Sequence, residues 1–239
     1  MSTVPNNYFA GVYWGGRRES SQVCAERICN FLRNLGEIDA LSSRWFITGS
    51  SREEALSEDV SANILMVQEI LERGRNLDLP RPLQESLGFT LSLWNGAQSE
   101  DRALSILFRC GAFANNVGNS VVLSLPMGCQ VTLRFELARI LITILVRSFS
   151  PDWGVVSSHS IAQFSTALHS GMPRAGWLTY LRDHKGQAPI SHAFESEVID
   201  SAGVLLITTK DAFHSTDEGH IASVAAVADW IARVAVQQA

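Results

Sequence analysis

The sequence predicts an α+β fold in which a mostly antiparallel central sheet of about six strands is flanked by helices. Short runs rich in aromatic and β-branched residues are separated by turn-forming Gly, Asn and Pro, as expected for neighbouring antiparallel strands. Longer segments with apolar residues at helical spacing lie among them without the regular alternation of parallel βαβ units. With 239 residues, 46% of them hydrophobic, the chain can bury a substantial core.

The first half of the chain begins with YFAGVYW, an aromatic and β-branched run that ends at Gly15-Gly16. Ser20 or Ser21 caps the following helix, and Gly36 ends it. In order, the predicted elements are a strand at 8–14, a helix from about 21 to 36, a strand at 44–48, a helix at 61–73, and strands at 89–94, 103–108 and 120–125. Pro80 and Pro82 predict a break before the last three strands, which form an antiparallel meander.

The second half opens with a strongly apolar segment whose charged residues lie along one narrow edge, which predicts a helix laid across the sheet. In order, the predicted elements are a helix at 131–149, a strand at 154–157, a helix at 161–168, strands at 176–181 and 203–208, and a helix at 216–236. No internal repeat or low-complexity linker divides the chain. We therefore expect one domain over residues 1–239, with its core at roughly 8–236.

Charge and hydropathy exclude some classes of function. The chain has 19 basic and 24 acidic residues and a net charge of −5, which disfavours direct binding of nucleic acid and leaves a basic protein partner possible. No apolar stretch approaches the roughly 20 residues of a membrane span, and no basic cluster followed by an apolar run marks an export signal. We expect a cytoplasmic protein that does not bind membranes.

Motifs for catalysis are missing from the sequence. It contains no phosphate-binding loop, GxGxxG fingerprint, GxSxG elbow or HExxH pair, and its four cysteines lack zinc-site spacing. We expect no catalytic residues, metal or cofactor. One alternative stays open: the Gly15-Gly16-Arg17 turn follows a strand and could offer backbone N–H groups to an anion, in a small enzyme that uses a histidine as acid–base group. A simple strand-to-helix turn explains the same glycines.

Aromatic and charged residues near predicted turns instead indicate a binding module, because Trp, Tyr and Arg dominate the energetics of protein interfaces. Three clusters would supply a negative face for a basic partner: Glu53/Glu54/Glu58/Asp59, Glu195/Glu197/Asp200 and Asp211/Asp217/Glu218. The candidate partner-binding residues lie on the first turn, on the predicted hairpin and in the first acidic cluster. They are Trp14, Arg17, Arg18, Trp94, Asn95, Glu53, Glu54, Glu58 and Asp59.

Several segments together resemble one protein family: YWGGRRES, the Cys24 to Leu35 helix, LGFTLSLWNG, GWLTYL and GVLLITTKDAF. In this order, from about residue 8 to 234, they resemble the immunity protein 52 family of bacterial polymorphic-toxin and type VI secretion systems. The resemblance implies a non-enzymatic protein that neutralises a cognate toxin, expected to be a nuclease of the restriction-endonuclease type. An acidic inhibitor suits the electropositive cleft of such a toxin. An adaptor or chaperone for a secreted effector is a further alternative.

Overall fold

The computed structural model describes residues 7–38, 44–48, 59–74, 80–125, 133–164, 173–183, 194–199 and 203–238. Within them, one sheet has nine strands in the order β2-β3-β4-β5-β1-β6-β7-β9-β8, and every neighbouring pair is antiparallel. The strands are β1 Tyr8–Trp14, β2 Phe46–Ile47, β3 Phe89–Trp94, β4 Ser105–Cys110, β5 Asn119–Ser124, β6 Trp153–Ser158, β7 Leu178–Arg182, β8 Glu195–Ile199 and β9 Gly203–Ile207. The predicted α+β class and the meander of β3, β4 and β5 are confirmed.

Helices lie between the strands without regular alternation. They are α1 Ser21–Gly36, α2 Ile64–Arg73, α3 Arg81–Leu87, α4 Phe135–Phe149, α5 His159–Phe164 and α6 Glu218–Gln238, with a short 3-10 helix at Glu100–Arg102. The predicted cap of α1 is correct, because the Ser20 side chain accepts a hydrogen bond from the Val23 backbone N–H. Asn63 caps α2 in the same way, so this helix begins at Ile64 rather than at residue 61.

The expectation of about six strands is wrong, since the described sheet contains nine. The observed strand that no predicted segment covers is β8, whose sequence ESEVI was interpreted only as part of an acidic cluster. Glu195 forms an ion pair with Lys210 at 2.6 Å, and Glu197 forms one with Arg139, also at 2.6 Å. Strand β8 lies at the edge of the sheet, and these two ion pairs compensate the charges of its glutamates. The local sequence does not reveal either partner.

The predicted chain break at Pro80 and Pro82 is also wrong in part, because α3 begins there. Pro80 is the N-cap residue and Pro82 lies in the first turn. Proline is tolerated at this end of a helix, where its missing N–H would have no intrahelical partner. The two prolines therefore begin a helix rather than interrupting structure.

One face of the sheet, here called the helix face, is covered by α1, α2 and α4. Across the strands, Phe108, Val121, Val12 and Gly154 are successive neighbours on this face. A Cβ added at Gly154 would lie 2.9 Å from Cδ1 of Ile142 on α4, so glycine allows the helix to approach the sheet closely. The main core lies between these helices and the sheet.

The opposite face differs between the two halves of the sheet. Strands β7 and β9 are buried on nearly every residue, so both of their faces are covered. Strands β3 and β4 instead alternate between buried and solvent-accessible positions. We call this accessible side the open face: the outward side chains of β3, β4 and β5. They are Thr90, Ser92, Trp94, Ser105, Leu107, Arg109, Ser120, Val122 and Ser124, and all of them except Ser120, which is 8% exposed, are accessible to solvent.

Among the helices of the described segments, none combines the length and the apolar character needed to cross a lipid bilayer.

Candidate functional site

The turn after β1 is held on both sides by the protein itself. The Gly15 backbone N–H donates to Oδ2 of Asp152 at 2.8 Å, and the Gly15 carbonyl accepts from Nδ2 of Asn119 at 2.7 Å. The Arg17 backbone N–H donates to the Ala112 carbonyl at 2.8 Å. Two of the backbone N–H groups that the anion hypothesis assigns to a ligand, those of Gly15 and Arg17, therefore donate to acceptors within the chain. This geometry supports the simple strand-to-helix turn.

Arg17 lies at the C-terminal end of α4. Its Nη2 donates to the Phe149 carbonyl at 2.8 Å and its Nη1 to the Ser150 carbonyl at 3.3 Å. Arg27 donates to the Ser148 carbonyl at 3.0 Å, and Arg182 donates to the Ser150 carbonyl. The last carbonyls of a helix lack intrahelical donors and carry partial negative charge. The three arginines supply hydrogen-bond donors to these carbonyls and positive charge beside them. Arg17 thus has an internal role as well as its proposed contact role.

Trp14 is packed beneath Arg17, whose guanidinium carbon is 5.0 Å from the centre of the indole ring. The other stacking partner is Phe149, with ring centroids 5.9 Å apart. Trp14 is only 5% exposed, and its Nε1 is buried without a hydrogen-bond partner. Little of this side chain is available to a partner in the described conformation.

Arg18, the next predicted contact residue, is accessible. Its side chain is 72% exposed, lies over the ring of Phe113 at 5.0 Å, and forms a 3.6 Å ion pair with Glu85 of α3. An exposed ion pair of this length contributes little to stability and is easily exchanged for another partner.

Trp94 and Asn95 lie at the opposite end of the sheet from Trp14. The Asn95 side chain accepts from the Leu104 N–H at 3.0 Å and donates to the Arg102 carbonyl at 2.9 Å, which closes the connection between β3 and β4. Trp94 is half-buried beside Phe46 in the sheet register, and its Nε1 has no hydrogen-bond partner.

The first acidic cluster is only partly within the described residues. Glu53, Glu54 and Glu58 lie outside them. Oδ1 of Asp59 accepts hydrogen bonds from the backbone N–H groups of Trp45 at 3.1 Å and Ser61 at 3.0 Å, and from the Ser61 hydroxyl at 2.6 Å. Partial burial raises the pKa of Asp59, but these hydrogen bonds and the charge of Arg44 outweigh it and lower the pKa below its usual value.

The described members of the other two acidic clusters also have internal partners. Glu195 and Glu197 form the ion pairs given above. Asp217 precedes α6 and accepts the His220 backbone N–H at 3.0 Å, which caps the helix. That hydrogen bond is the main reason that the pKa of Asp217 lies below its ordinary value.

The predicted contact residues form two separate groups rather than one surface. Trp14, Arg17 and Arg18 are at the end of the sheet where β1 turns into α1. Trp94 and Asn95 are at the other end, and Asp59 joins them through Trp45, which precedes β2. The spacing of these residues in the sequence does not show that they lie at opposite ends of the sheet, because their positions depend on the register of the strands.

Sequence reasoning missed a row of side chains across the open face. In the strand register Arg109 is opposite Ser120, Ser120 is opposite Tyr13, and Tyr13 is opposite Trp153. The Tyr13 and Trp153 rings stack with centroids 4.1 Å apart. Burial raises the pKa of Tyr13, and the opposing positive charge of Arg174 does not cancel this effect. The alternation in FTLSLW and SILFRC was the signal that marked this face as open.

Potential metal ligands are not grouped within the described residues, where no cluster of three or more His, Cys, Asp or Glu side chains could hold an ion. Cys24, Cys29 and Cys110 are buried free thiols, and burial raises the pKa of Cys29 to about 11. The His159 ring packs against Phe9 with centroids 4.9 Å apart. These groups therefore act in packing.

Comparison with known protein families shows which family this chain is related to. The sequence profile of immunity protein 52 matches residues 6–238, nearly the whole chain. The chain belongs to the immunity protein 52 family. Membership in this family implies an immunity protein that binds a cognate toxin.

The fold of this immunity protein 52 family member is similar to that of a solved structure titled "Pseudomonas aeruginosa T6SS protein PA0821". The TM-score is 0.53 with 13% sequence identity, and the match covers 89% of this chain and 71% of that chain. At this identity the likeness concerns the fold alone. No curated protein sequence matches the chain significantly.

Proposed function

We propose that this protein binds and neutralises a cognate secreted antibacterial toxin and thereby protects its own cell and sibling cells. The observation that carries the proposal is the match to the immunity protein 52 family over residues 6–238. The proposed inhibitor acts by stoichiometric binding in the cytoplasm, without a cofactor. It forms one immunity-protein domain over residues 1–239, with its core at roughly 8–236.

We infer further that the toxin belongs to a type VI secretion system and is a nuclease of the restriction-endonuclease type. A nuclease needs an electropositive cleft to hold DNA, and the net charge of −5 on this chain is complementary to such a cleft. The fold similarity to a Pseudomonas aeruginosa T6SS protein is consistent with this setting.

The proposed contacts with the toxin form two groups, one at each end of the sheet. At one end Arg18 is the accessible member, while Trp14 and Arg17 hold the turn that carries it. At the other end we propose contacts from Trp94 and Asn95 and from the acidic group Glu53, Glu54, Glu58 and Asp59. Rim charges of this kind attract a basic partner over a distance and speed association.

A co-expression experiment tests this function. The toxin encoded beside this gene is induced in bacteria that lack the secretion machinery, with and without the present protein, and the pair is then co-purified. Survival together with a stable one-to-one complex is the expected result. Continued killing without a complex overturns neutralisation. An adaptor predicts binding without rescue in these cells, because export cannot occur.

The nuclease assignment has its own readout. Chromosomal DNA from cells that express the toxin alone is expected to be degraded, and DNA from cells that also express this protein is expected to stay intact. Killing that leaves DNA intact, with rescue retained, removes the nuclease assignment while preserving the immunity role.

A further inference from the structure

The open face has a composition that differs from the rest of the chain. Its nine outward side chains include five hydroxyl groups, one arginine and no carboxylate. Thr90, Ser92, Ser105 and Arg109 are exposed, so the face is accessible to a partner. A sheet face buried against the core would be apolar, as β9 is. The alternation of β3 and β4 thus produces a flat surface made mainly of neutral hydrogen-bonding groups.

A rigid aromatic pair borders this face. The Tyr13 ring lies over Gly11, since a Cβ placed there would be 2.7 Å from the Tyr13 hydroxyl oxygen. The same ring stacks on Trp153, and both residues are half-buried. Side chains fixed in this way lose little conformational entropy when a partner covers them.

Arg109 carries the only charge on the open face. In the part of the chain that the structure describes, it has no ion pair, whereas Arg17, Arg27 and Arg139 each bind a carboxylate. An arginine that stands among serines and has no internal partner has its full set of donors available for a carboxylate on another molecule.

We propose that the open face, together with the Tyr13–Trp153 pair, is the surface on which the cognate toxin docks, with a carboxylate of the toxin against Arg109. This inference rests on the proposed function and names the surface that performs it. Tyr, Trp and Arg are the residue types most enriched among interface hot spots. Serine around rigid aromatic anchors is also the composition of antibody binding loops, where hydroxyl groups supply adaptable hydrogen bonds.

The dimensions of the surface fit this role. Strands β3, β4, β5, β1 and β6 are consecutive in the sheet, and a spacing of about 4.8 Å gives a surface roughly 20 Å wide. That width suits the central part of a standard protein interface. The acidic residues elsewhere supply long-range attraction, and this nearly neutral face supplies the contact, because charged residues are depleted at the centre of interfaces.

The test uses two substitutions on the open face of the full-length protein. Arg109→Glu places a like charge against the proposed toxin carboxylate, and Thr90→Glu, opposite Arg109 in the register, adds a carboxylate that competes for Arg109 and repels the toxin carboxylate. Arg33→Glu is the matched control, because Arg33 is exposed on α1, which packs on the helix face. Unfolding curves establish that each variant is folded.

Binding is measured by titration calorimetry with the purified toxin. Arg109→Glu and Thr90→Glu are expected to raise Kd at least tenfold and to weaken protection, with Arg33→Glu within twofold of the wild type. If the wild type binds and Arg109→Glu changes Kd less than threefold, this docking surface is overturned while the immunity role stands. A wild type that neither binds nor protects overturns both.

A second copy of the chain is the competing occupant. Size-exclusion chromatography with light scattering is expected to show a monomer for both the wild type and Arg109→Glu. A wild-type dimer that Arg109→Glu dissociates would assign the face to self-association and overturn toxin docking.

Discussion

Nε of Arg139 lies 2.6 Å from Oε1 of Glu197, so an ion pair joins the long helix α4 to the edge strand β8. In the described sheet β8 pairs only with β9, and it presents Val198 to solvent with 58% of that side chain exposed. The ion pair is therefore a tertiary contact that holds an otherwise singly paired strand.

We predict that Glu197→Gln loosens β8 without greatly weakening the whole protein. Both partners are partly exposed, so the free energy of unfolding is expected to fall by less than about 1 kcal/mol. Backbone amides of β8 are expected to exchange faster with deuterium, because a sheet edge opens locally. Glu69→Gln, which removes an exposed ion pair within α2, is the control. Unchanged exchange in β8 would contradict the assigned role.

Asn119 is a buried polar side chain that connects three segments, and it is 1% exposed. Its Nδ2 donates to the carbonyls of Gly15 at 2.7 Å and Ala112 at 3.0 Å, and its Oδ1 accepts from the Ala112 N–H at 2.9 Å. Asn119→Ala leaves these backbone groups without partners. We predict a loss of about 2–4 kcal/mol in the free energy of unfolding, measured with urea.

The charged variant of the same residue gives a pH signature. In Asn119→Asp a carboxylate would face two carbonyl oxygens, which raises its folded-state pKa. The variant is therefore expected to lose stability as pH rises through that pKa and to recover stability in acid. Asn30→Ala on α1, which removes only an exposed hydrogen bond to Arg33, is the control and is expected to change stability by less than about 0.5 kcal/mol.

Glu19 lies between two arginines, with Oε1 at 3.3 Å from Nε of Arg17 and 3.0 Å from Nε of Arg27. Its side chain is 7% exposed, whereas both arginines are about 30% exposed (29% and 31%). We predict that Glu19→Gln lowers the free energy of unfolding by about 1–3 kcal/mol, because two neighbouring guanidinium groups lose their shared counter-charge.

Salt separates this buried contact from a surface one. Glu85→Gln, which breaks the exposed pair with Arg18, is expected to lower the free energy of unfolding by less than about 1 kcal/mol and to lose that effect in 0.5 M salt (roughly a 4 Å screening length). The effect of Glu19→Gln is expected to persist in salt. If the two variants lose the same free energy of unfolding, the assignment of Glu19 as a buried contact is contradicted.

Asp59 is expected to make stability depend on acid pH. Its folded-state pKa is lowered, so its contribution is complete above the unfolded value of about 3.9 and is lost as pH falls through the folded pKa. The stability difference between the wild type and Asp59→Asn is therefore predicted to be largest above about pH 5 and to shrink below pH 4 or so. Urea unfolding from pH 3 to 7 measures it, with Asp101→Asn as control. A difference that is constant with pH would be inconsistent with this role.

The acidic group provides a prediction about binding. Changing Glu53, Glu54 and Glu58 together to Lys is expected to slow association with the toxin at least tenfold at low salt and to flatten its salt dependence, because electrostatic attraction over a distance is screened by ions. Stopped-flow mixing measures the rate. The same three-charge reversal at Glu69, Glu72 and Asp101 is the control. An unchanged rate would remove the group from the proposed contact set.

Local pattern predicted most of the fold. FTLSLW predicts β3 at its observed bounds, and GVLLIT predicts β9, because alternation and a continuous apolar run report directly on burial of one or both faces. Strand β8 was missed because its two glutamates are compensated by Arg139 and Lys210, which lie far away in sequence. Tertiary contact overrode local preference at this strand.

The candidate contacts were harder to predict for the same reason. Trp14 and Trp94 both stand at the end of a strand in the sequence, yet Trp14 is covered by Arg17 and Phe149 while Trp94 stays half-exposed. In the sequence nothing distinguishes Arg109 from a solvated arginine. The strand register places it opposite Ser120, in one row with the Tyr13–Trp153 pair. Periodicity predicts which face a residue occupies, but only the strand order identifies its neighbours.

The position of β1 in the sheet determines when this strand can pair during translation. Although it is the first strand made, it is fifth in the sheet, and Phe9 pairs with both Ser124 and Ser157. Closing loops of this length carries a large entropic cost, and the contacts that repay it arise only when distant strands have emerged. The strand that carries Trp14 therefore stays unpaired on the ribosome until more than half of the chain is translated. Protection therefore depends on strand pairing that cannot form until β5 and β6 have also been made.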